Sequence, residues 1–121
     1  MPGAVLIVDG HREWPPELLA TIAGQGHTIV RIDDIRLVPF FVLAGGVQAV
    51  MVDARGLEVV SMLALQQCRR VAPATSVVVV VGAQPASAAV KRALDSGATA
   101  YLSWPAPKKM VAQALHSAEA S

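Results

Sequence analysis

Two carboxylates stand directly after short apolar runs, at positions where a parallel sheet would bring them together. Asp9 follows Ala4 to Val8, and Asp53 follows Ala49 to Val52. In open α/β sheets, binding sites form beyond the carboxyl ends of the strands. If these two strands are neighbours, the carboxylates face each other at that edge, and paired carboxylates are suited to a hard cation. The first candidate site is therefore an acidic pair, Asp9 and Asp53.

Each of these carboxylates also has a structural interpretation. An Asp that ends a strand often caps the next helix or a turn. Asp33 and Asp34, which follow a second apolar run, fit that role best, because a helix-like segment begins directly after them. For Asp9 and Asp53 both interpretations remain open on the residues alone.

Five short apolar runs must position these side chains. They are nearly continuous and lack the in–out alternation of a solvated antiparallel sheet, which indicates strands buried on both faces. Turn residues such as Asp9-Gly10 and Gly45-Gly46 separate them from other segments. The predicted strands are Ala4–Val8, Thr28–Ile32, Ala49–Val52, Val77–Val81 and Ala100–Ser103.

Helix-like segments alternate with the strands. Proline opens the first and the last of them, where its missing N–H costs nothing, and glycines follow the ends of several. The predicted segments run from Pro15 to Gly24, from Arg36 to Ala44, from Leu57 to Val71, from Ala86 to Ser96, and from Pro107 to about His116. The last segment has an apolar side made of Met110, Val111, Ala114, Leu115 and Ala118. Alternation of this kind predicts an α/β fold. We expect a three-layer α/β/α domain with a five-stranded parallel sheet.

Composition excludes several classes of protein. The 121 residues suffice for one domain, residues 1–121. With 54% apolar residues, 16% charged residues and a net charge of +1, the chain is neither a disordered segment nor a basic nucleic-acid-binding domain. The single cysteine, Cys68, excludes an internal disulfide. The apolar runs are too short for a membrane span, and no signal peptide is apparent, so we expect a cytoplasmic protein without nucleic-acid or membrane partners.

Three motifs together carry a resemblance to a known family. They are Leu6–Asp9, Val50–Asp53 and the segment Gly97–Pro105, which reads Gly-Ala-Thr-Ala-Tyr-Leu-Ser-Trp-Pro. From Val5 to about Ala114, the chain resembles the receiver domain of bacterial two-component response regulators. The resemblance implies a flavodoxin-like, three-layer α/β/α fold whose five-stranded parallel sheet has the order 2-1-3-4-5. It also implies a signalling module that is not an enzyme, and it implies that Asp53 stands at the phosphoacceptor position and Tyr101 at the position of the switch aromatic.

The departures from the family pattern concern the phosphate site. Gly10 stands where the family has a second acid, Gly82 where it has Ser or Thr, and Trp104 where it has the lysine that pairs with phosphate. An indole N–H donates a hydrogen bond but carries no charge. Each lost contact to an anion is worth roughly 1.5–3 kcal/mol. These differences predict a degenerate receiver, phosphorylated poorly or not at all, that acts through protein contacts.

Some elements of the site are retained. Asp9 and Asp53 would be the ligands of any Mg²⁺, and Glu13 would complete a residual acidic pocket if its loop reaches back. Trp104, followed by Pro105, would either plug the former phosphate site or lie on a partner-binding face. Arg55 would replace the missing lysine charge if it pairs with Asp53. No cofactor is expected, and Mg²⁺ is the one ion that the retained carboxylates could hold.

The partner is expected to be a protein: a kinase, a regulator or an output domain. The excess of apolar residues also suggests self-association. By the habit of the family, a homodimer would use the fourth helix, the fifth strand and the fifth helix. The residues expected to cluster there are Lys91, Arg92, Tyr101, Lys108 and Lys109.

Two alternatives remain at this point. One is a conventional receiver that is phosphorylated on Asp53 with Mg²⁺. The other is a small cobalamin-binding module, because Asp9-Gly10-His11 matches the start of an Asp-x-His-x-x-Gly motif in which the histidine coordinates cobalt. Trp14 occupies the place of the glycine in that motif, and the later Ser-x-Leu and Gly-Gly elements are missing, which counts against this alternative.

Overall fold

The strands form one parallel sheet, in a computed structural model that describes residues 3–8, 14–53, 59–81 and 87–118. The spatial order is β2-β1-β3-β4-β5, with every neighbouring pair parallel. This confirms the predicted sheet and its strand order. The strands are β1 (Ala4–Val8), β2 (Thr28–Ile32), β3 (Val47–Asp53), β4 (Ser76–Val81) and β5 (Ala100–Ser103).

Helices cover both faces of this sheet. Two of them, α1 and α5, pack on the face that carries the side chains of Val5 and Ile7, while α2 and α3 pack on each other over the opposite face. The helices are α1 (Pro16–Gly24), α2 (Val38–Ala44), α3 (Val59–Val71), α4 (Ser87–Ser96) and α5 (Lys108–Leu115), with a 3-10 helix at Ile35–Leu37 before α2.

Consecutive strand residues belong to opposite cores, as the pleat of a strand requires. In β4, Val77 and Val79 pack with α3, whereas Val78 and Val80 pack with α1 and α5. All four are buried. An unbroken valine run is therefore what a strand needs when helices cover both of its faces.

The segment predicted as one helix from Arg36 to Ala44 is divided in two. A 3-10 turn precedes α2, and Pro39 lies in the first turn of α2, where its missing N–H leaves no hydrogen bond unmade. Asp34 caps the 3-10 turn, as predicted, by accepting a hydrogen bond of 3.0 Å from the backbone N–H of Arg36.

Helix α5 confirms most of its predicted apolar face. Val111, Ala114 and Leu115 are buried, and Ala118, just beyond the helix, is buried too. Met110 was expected on the same side but is 50% exposed. Helical spacing correctly places these residues near one face, but it overestimates the width of the buried stripe on a helix of only eight residues.

Hydroxyl groups tie the end of α5 to the amino ends of the strands. Thr99 Oγ1 accepts a hydrogen bond of 2.9 Å from the backbone N–H of Val77 and lies 2.6 Å from Ser117 Oγ. The fully buried Ser76 accepts from the backbone N–H of Ala118 at 3.0 Å. These contacts satisfy buried polar groups at the sheet edge opposite the candidate site, so that edge has a structural role.

Cys68, in α3, is fully buried, and burial raises the pKa of its thiol to about 11. The fold therefore favours the protonated thiol. The stability that this raised pKa contributes is complete at pH values below the pKa of the same thiol in the unfolded chain, and it is lost as the pH rises toward 11.

We expect the free energy of unfolding to fall between about pH 9 and pH 11, with up to about 3 kcal/mol of the fall due to Cys68. Urea unfolding at several pH values measures it. Because Lys and Tyr titrate in the same range, the comparison is with Cys68→Ala, which should show a shallower decline. Equal slopes for the two proteins would contradict the assignment to this thiol.

Within the part of the chain that the structure describes, no helix has the length and apolar character needed to span a membrane.

Candidate functional site

Asp53 is the last residue of β3, at the carboxyl edge of the sheet. Its neighbours in register show its position: Val52 pairs with Val8 of β1, and Asp53 itself pairs with Val80 of β4. Asp53 thus lies one position beyond Val52, whose pairing with Val8 is the last between β1 and β3 among the described residues, and its side chain is half-buried. The predicted adjacency of the first and third strands, on which the acidic pair depends, is confirmed.

Several candidate residues fall outside the described ranges. Their predicted roles therefore remain predictions. They are Asp9, Gly10, His11, Glu13, Arg55 and Gly82. The motif that favoured a cobalamin module falls on the same segments.

Trp104 directly follows β5, whose Ser103 pairs with Val81 at the carboxyl end of β4. Its side chain is half-buried and packs against the core cluster that includes Leu102, Val80 and Trp14. The Trp104–Pro105 peptide bond is cis. Through its packing on this cluster, the indole is anchored on the apolar core of the face covered by α1 and α5. The position after β5 thus carries a neutral aromatic group.

Tyr101 lies on β5, at the edge of the sheet, and its side chain is exposed. Its strand partner is Val79 of β4. An exposed tyrosine on an edge strand offers both an apolar ring and a hydroxyl to a partner. The position at which the resemblance places a switch aromatic is thus available at the surface.

Trp14 is not among the site residues that the sequence predicts. The sequence singles it out only as the residue that stands in place of the glycine of the cobalamin-binding motif. It lies just before α1, is 5% exposed, and belongs to the same cluster against which Trp104 packs. Its Nε1–H has no hydrogen-bond partner among the described residues. The tryptophan before Pro15-Pro16 was the available signal, because a large aromatic at a helix entry commonly packs under the first turn.

One of the two acidic residues after β2, Asp34, is held in an ion pair. Asp34 is bound to Arg36, with Arg36 Nη2 donating to Asp34 Oδ2 at 2.8 Å and Nε donating to Asp34 Oδ1 at 3.0 Å. These side-chain hydrogen bonds lower the pKa of Asp34 and raise the pKa of Arg36. Because the pair is exposed, it adds little to stability, and its carboxylate is already engaged.

Among residues 3–8, 14–53, 59–81 and 87–118, no three His, Cys, Asp or Glu side chains are grouped closely enough to hold a metal ion. Asp53 is the predicted metal ligand that lies within these ranges. A Mg²⁺ site with several protein carboxylates would thus need donors from the segments that contain Asp9 and Glu13.

The fold is that of solved response regulators. Over 100% of both chains, the structure superimposes on a response regulator from Thermotoga maritima with a TM-score of 0.72 and 20% sequence identity. A response regulator from Burkholderia pseudomallei, solved with a phosphorylated aspartic acid, a calcium ion and citrate, matches with a TM-score of 0.72 and 17% identity, over 98% of this chain and 70% of that one.

NtrX from Brucella abortus, in complex with ADP, matches over 99% of this chain with a TM-score of 0.73 and 18% identity. This chain spans only 28% of the length of that protein. No protein-family model matches the sequence, and no curated protein matches it either. At these identities, the comparisons establish a shared fold.

Proposed function

We propose that this chain is a receiver-like signalling domain of a two-component system that acts by binding a protein partner and does not depend on phosphorylation of Asp53. The observation that carries the proposal is Trp104. At the position after β5, where the resemblance places a phosphate-pairing lysine, the chain has a half-buried indole packed on the apolar core.

Electrostatics supports this proposal. Phosphoryl transfer needs positive charge where negative charge develops on the phosphoryl oxygens. A neutral indole provides none. The sequence also lacks a hydroxyl at Gly82 and a second acid at Gly10. A bound Mg²⁺ would supply part of the missing charge, and Asp53 is the one predicted ligand among the residues that the structure describes.

A basic surface fits the partner-binding role. On the α4–β5–α5 surface, defined as the exposed residues of α4, β5 and α5, four cationic side chains accompany Tyr101. Asp95 is the acidic residue of these three elements. The excess of positive charge would speed the approach of a protein with an acidic surface. The four cationic residues are Lys91, Arg92, Lys108 and Lys109.

Treatment with a small phosphodonor tests the proposal. After incubation of the full chain with acetyl phosphate and Mg²⁺, we expect intact-mass spectrometry to find no stoichiometric phosphoryl adduct. Beryllofluoride with Mg²⁺ should leave the tryptophan fluorescence unchanged. Asp53→Asn should behave like the wild-type chain in both assays. A phosphorylatable response regulator, treated in parallel, establishes that the reagents are active.

Magnesium-dependent labelling that Asp53→Asn abolishes would instead identify a conventional receiver. That result would contradict the phosphorylation-independent role but not the shared fold.

We further propose that the domain works in the cytoplasm, where the kinases and output domains of such systems would meet it.

A further inference from the structure

Helix α2 is apolar on all sides. Its seven residues read Val-Pro-Phe-Phe-Val-Leu-Ala, and no charged residue occurs between Arg36 and Asp53. Val38, Pro39 and Val42 face the core and are buried. A helix that is apolar around its whole circumference is normally buried around its whole circumference as well.

The outer side of α2 is exposed. Phe40 is 70% exposed and Leu43 67%, while Leu37 and Phe41 are 46% and 41% exposed. Phe40 and Leu43 lie one turn apart on the side of α2 away from Val38 and Val42, Phe41 follows Phe40, and Leu37 ends the 3-10 turn directly before the helix. We call these four residues the α2 patch. It contains both phenylalanines of the chain.

From these observations we infer that the α2 patch is the contact between two copies of this chain, related by a two-fold axis. The apolar area is sufficient for this. Side chains of this size carry roughly 200 Å² each, so the exposed fractions correspond to roughly 400 Å² of apolar surface per copy. Two copies together contribute roughly 800 Å² of apolar surface. When apolar atoms make up roughly 65% of the interface, as in homodimers, the whole interface measures about 1,200 Å², the lower bound for a stable one.

Charge also favours a second copy at this patch. The charged neighbours on the 3-10 turn, Asp34 and Arg36, already neutralise each other. Two identical patches can therefore meet without repulsion between like charges. The α4–β5–α5 surface is different, because its excess of cations would face the same excess in a second copy. We therefore assign self-association to α2 and leave the predicted α4–β5–α5 surface to an acidic partner.

Sedimentation equilibrium of the full chain over a wide concentration range tests the inference. We expect the wild-type chain to form dimers whose population rises with protein concentration. Phe40→Glu should weaken association at least about 30-fold, because each copy would bury an unpaired charge at the centre of the contact. Phe40→Ser is a milder variant for use if the charged one fails to fold.

The matched control is Met110→Glu, which places the same charge at a 50% exposed apolar residue of α5. It should leave the dimer unchanged. The inference is overturned if the wild-type chain stays monomeric at the highest concentration, if both folded Phe40 variants still dimerise, or if Met110→Glu abolishes association. Open-ended assemblies larger than a dimer would also overturn it, since a two-fold contact closes at two copies.

Discussion

Gly97→Ala should destabilise the fold by about 2–4 kcal/mol, the largest effect that we expect from the addition of one methyl group. Gly97 lies between α4 and β5 with a φ of 126°, a backbone conformation that side chains other than glycine's rarely adopt. A Cβ at this position would also lie 2.8 Å from Arg69 Cγ and 3.5 Å from the backbone oxygen of Leu65.

Little can move to relieve this contact. Arg69 is held from its far end, where Nη1 donates to the backbone oxygen of Pro73 at 2.7 Å and to that of Thr75 at 3.1 Å. To make room for the methyl group, the arginine must break these hydrogen bonds or α3 must shift away from β5. The backbone strain and the displaced side chain therefore act together.

Urea unfolding followed by circular dichroism measures the effect, with Gly24→Ala as the matched control. Gly24 is the last residue of α1, and a Cβ there would meet no atom within 4 Å. This second substitution should be neutral or stabilising by about 0.4–1 kcal/mol, because alanine restricts the unfolded chain. If the two variants have the same stability, then the position of Gly97 does not require glycine.

The sheet could be predicted from the sequence because its central strands, β1, β3 and β4, are apolar runs that helices cover on both faces. The bounds of β1, β2 and β5 are as predicted. The predicted third strand began at Ala49, but β3 begins at Val47. The polar Gln48 concealed these first residues: its side-chain amide donates to the backbone oxygen of Leu115 at 3.1 Å, a partner 67 positions away along the chain.

The same limit applies to the fourth strand. Ser76 is polar in the sequence and was excluded from the predicted strand, yet it is fully buried in β4. Its hydroxyl accepts from the backbone N–H of Ala118, which only the folded chain brings near. Local patterns record which residues are apolar, but they do not record which distant group satisfies a buried polar one.

For the candidate site, the sequence predicted where residues lie relative to the strands better than it predicted how deeply their side chains are buried. It placed Asp53 at the end of a strand and Trp104 after another, and both positions are confirmed. It left open whether Trp104 is packed or exposed. The structure shows it half-buried against a core cluster that contains Trp14, and no periodic pattern links residues that are 90 positions apart.

The exposed face of α2 illustrates the opposite case. The sequence shows plainly that this helix is apolar, and an apolar run of this kind predicts a buried helix. In the structure, however, Phe40 is largely exposed. Since Val38, Pro39 and Val42 already face the core, Phe40 lies on the outer side of the helix, which is exposed. A single chain's sequence cannot separate an internal core from a surface that a second molecule covers.

Restoring the family's three missing groups should restore phosphorylation of Asp53. In the triple variant Gly10→Asp, Gly82→Thr, Trp104→Lys, we expect acetyl phosphate and Mg²⁺ to label the chain roughly a thousand-fold faster than the wild type, or more. Two regained contacts to the anion, from the threonine and the lysine at roughly 1.5–3 kcal/mol each, account for that gain if they act together, and the restored acid adds a ligand for Mg²⁺. The lysine supplies the charge that the indole lacks.

The substitution of Trp104 has a cost, since the indole is half-buried on the core. The aliphatic part of the lysine can cover part of the same apolar surface while its ammonium group reaches the edge of the sheet. Intact-mass spectrometry over a time course measures the labelling, with circular dichroism to establish that the variant is folded. Trp104→Phe, which keeps the aromatic packing and adds no charge, should not be labelled.

Adding Asp53→Asn to the triple variant should abolish the label, which would place the phosphoryl group on that carboxylate. A folded triple variant that stays unlabelled would show that the missing groups do not by themselves account for inactivity. Because a charge-assisted contact is effective only when its donor lies within hydrogen-bond distance of the oxygen that it stabilises, that outcome would mean that the loops around Asp53 have also diverged from the family's geometry.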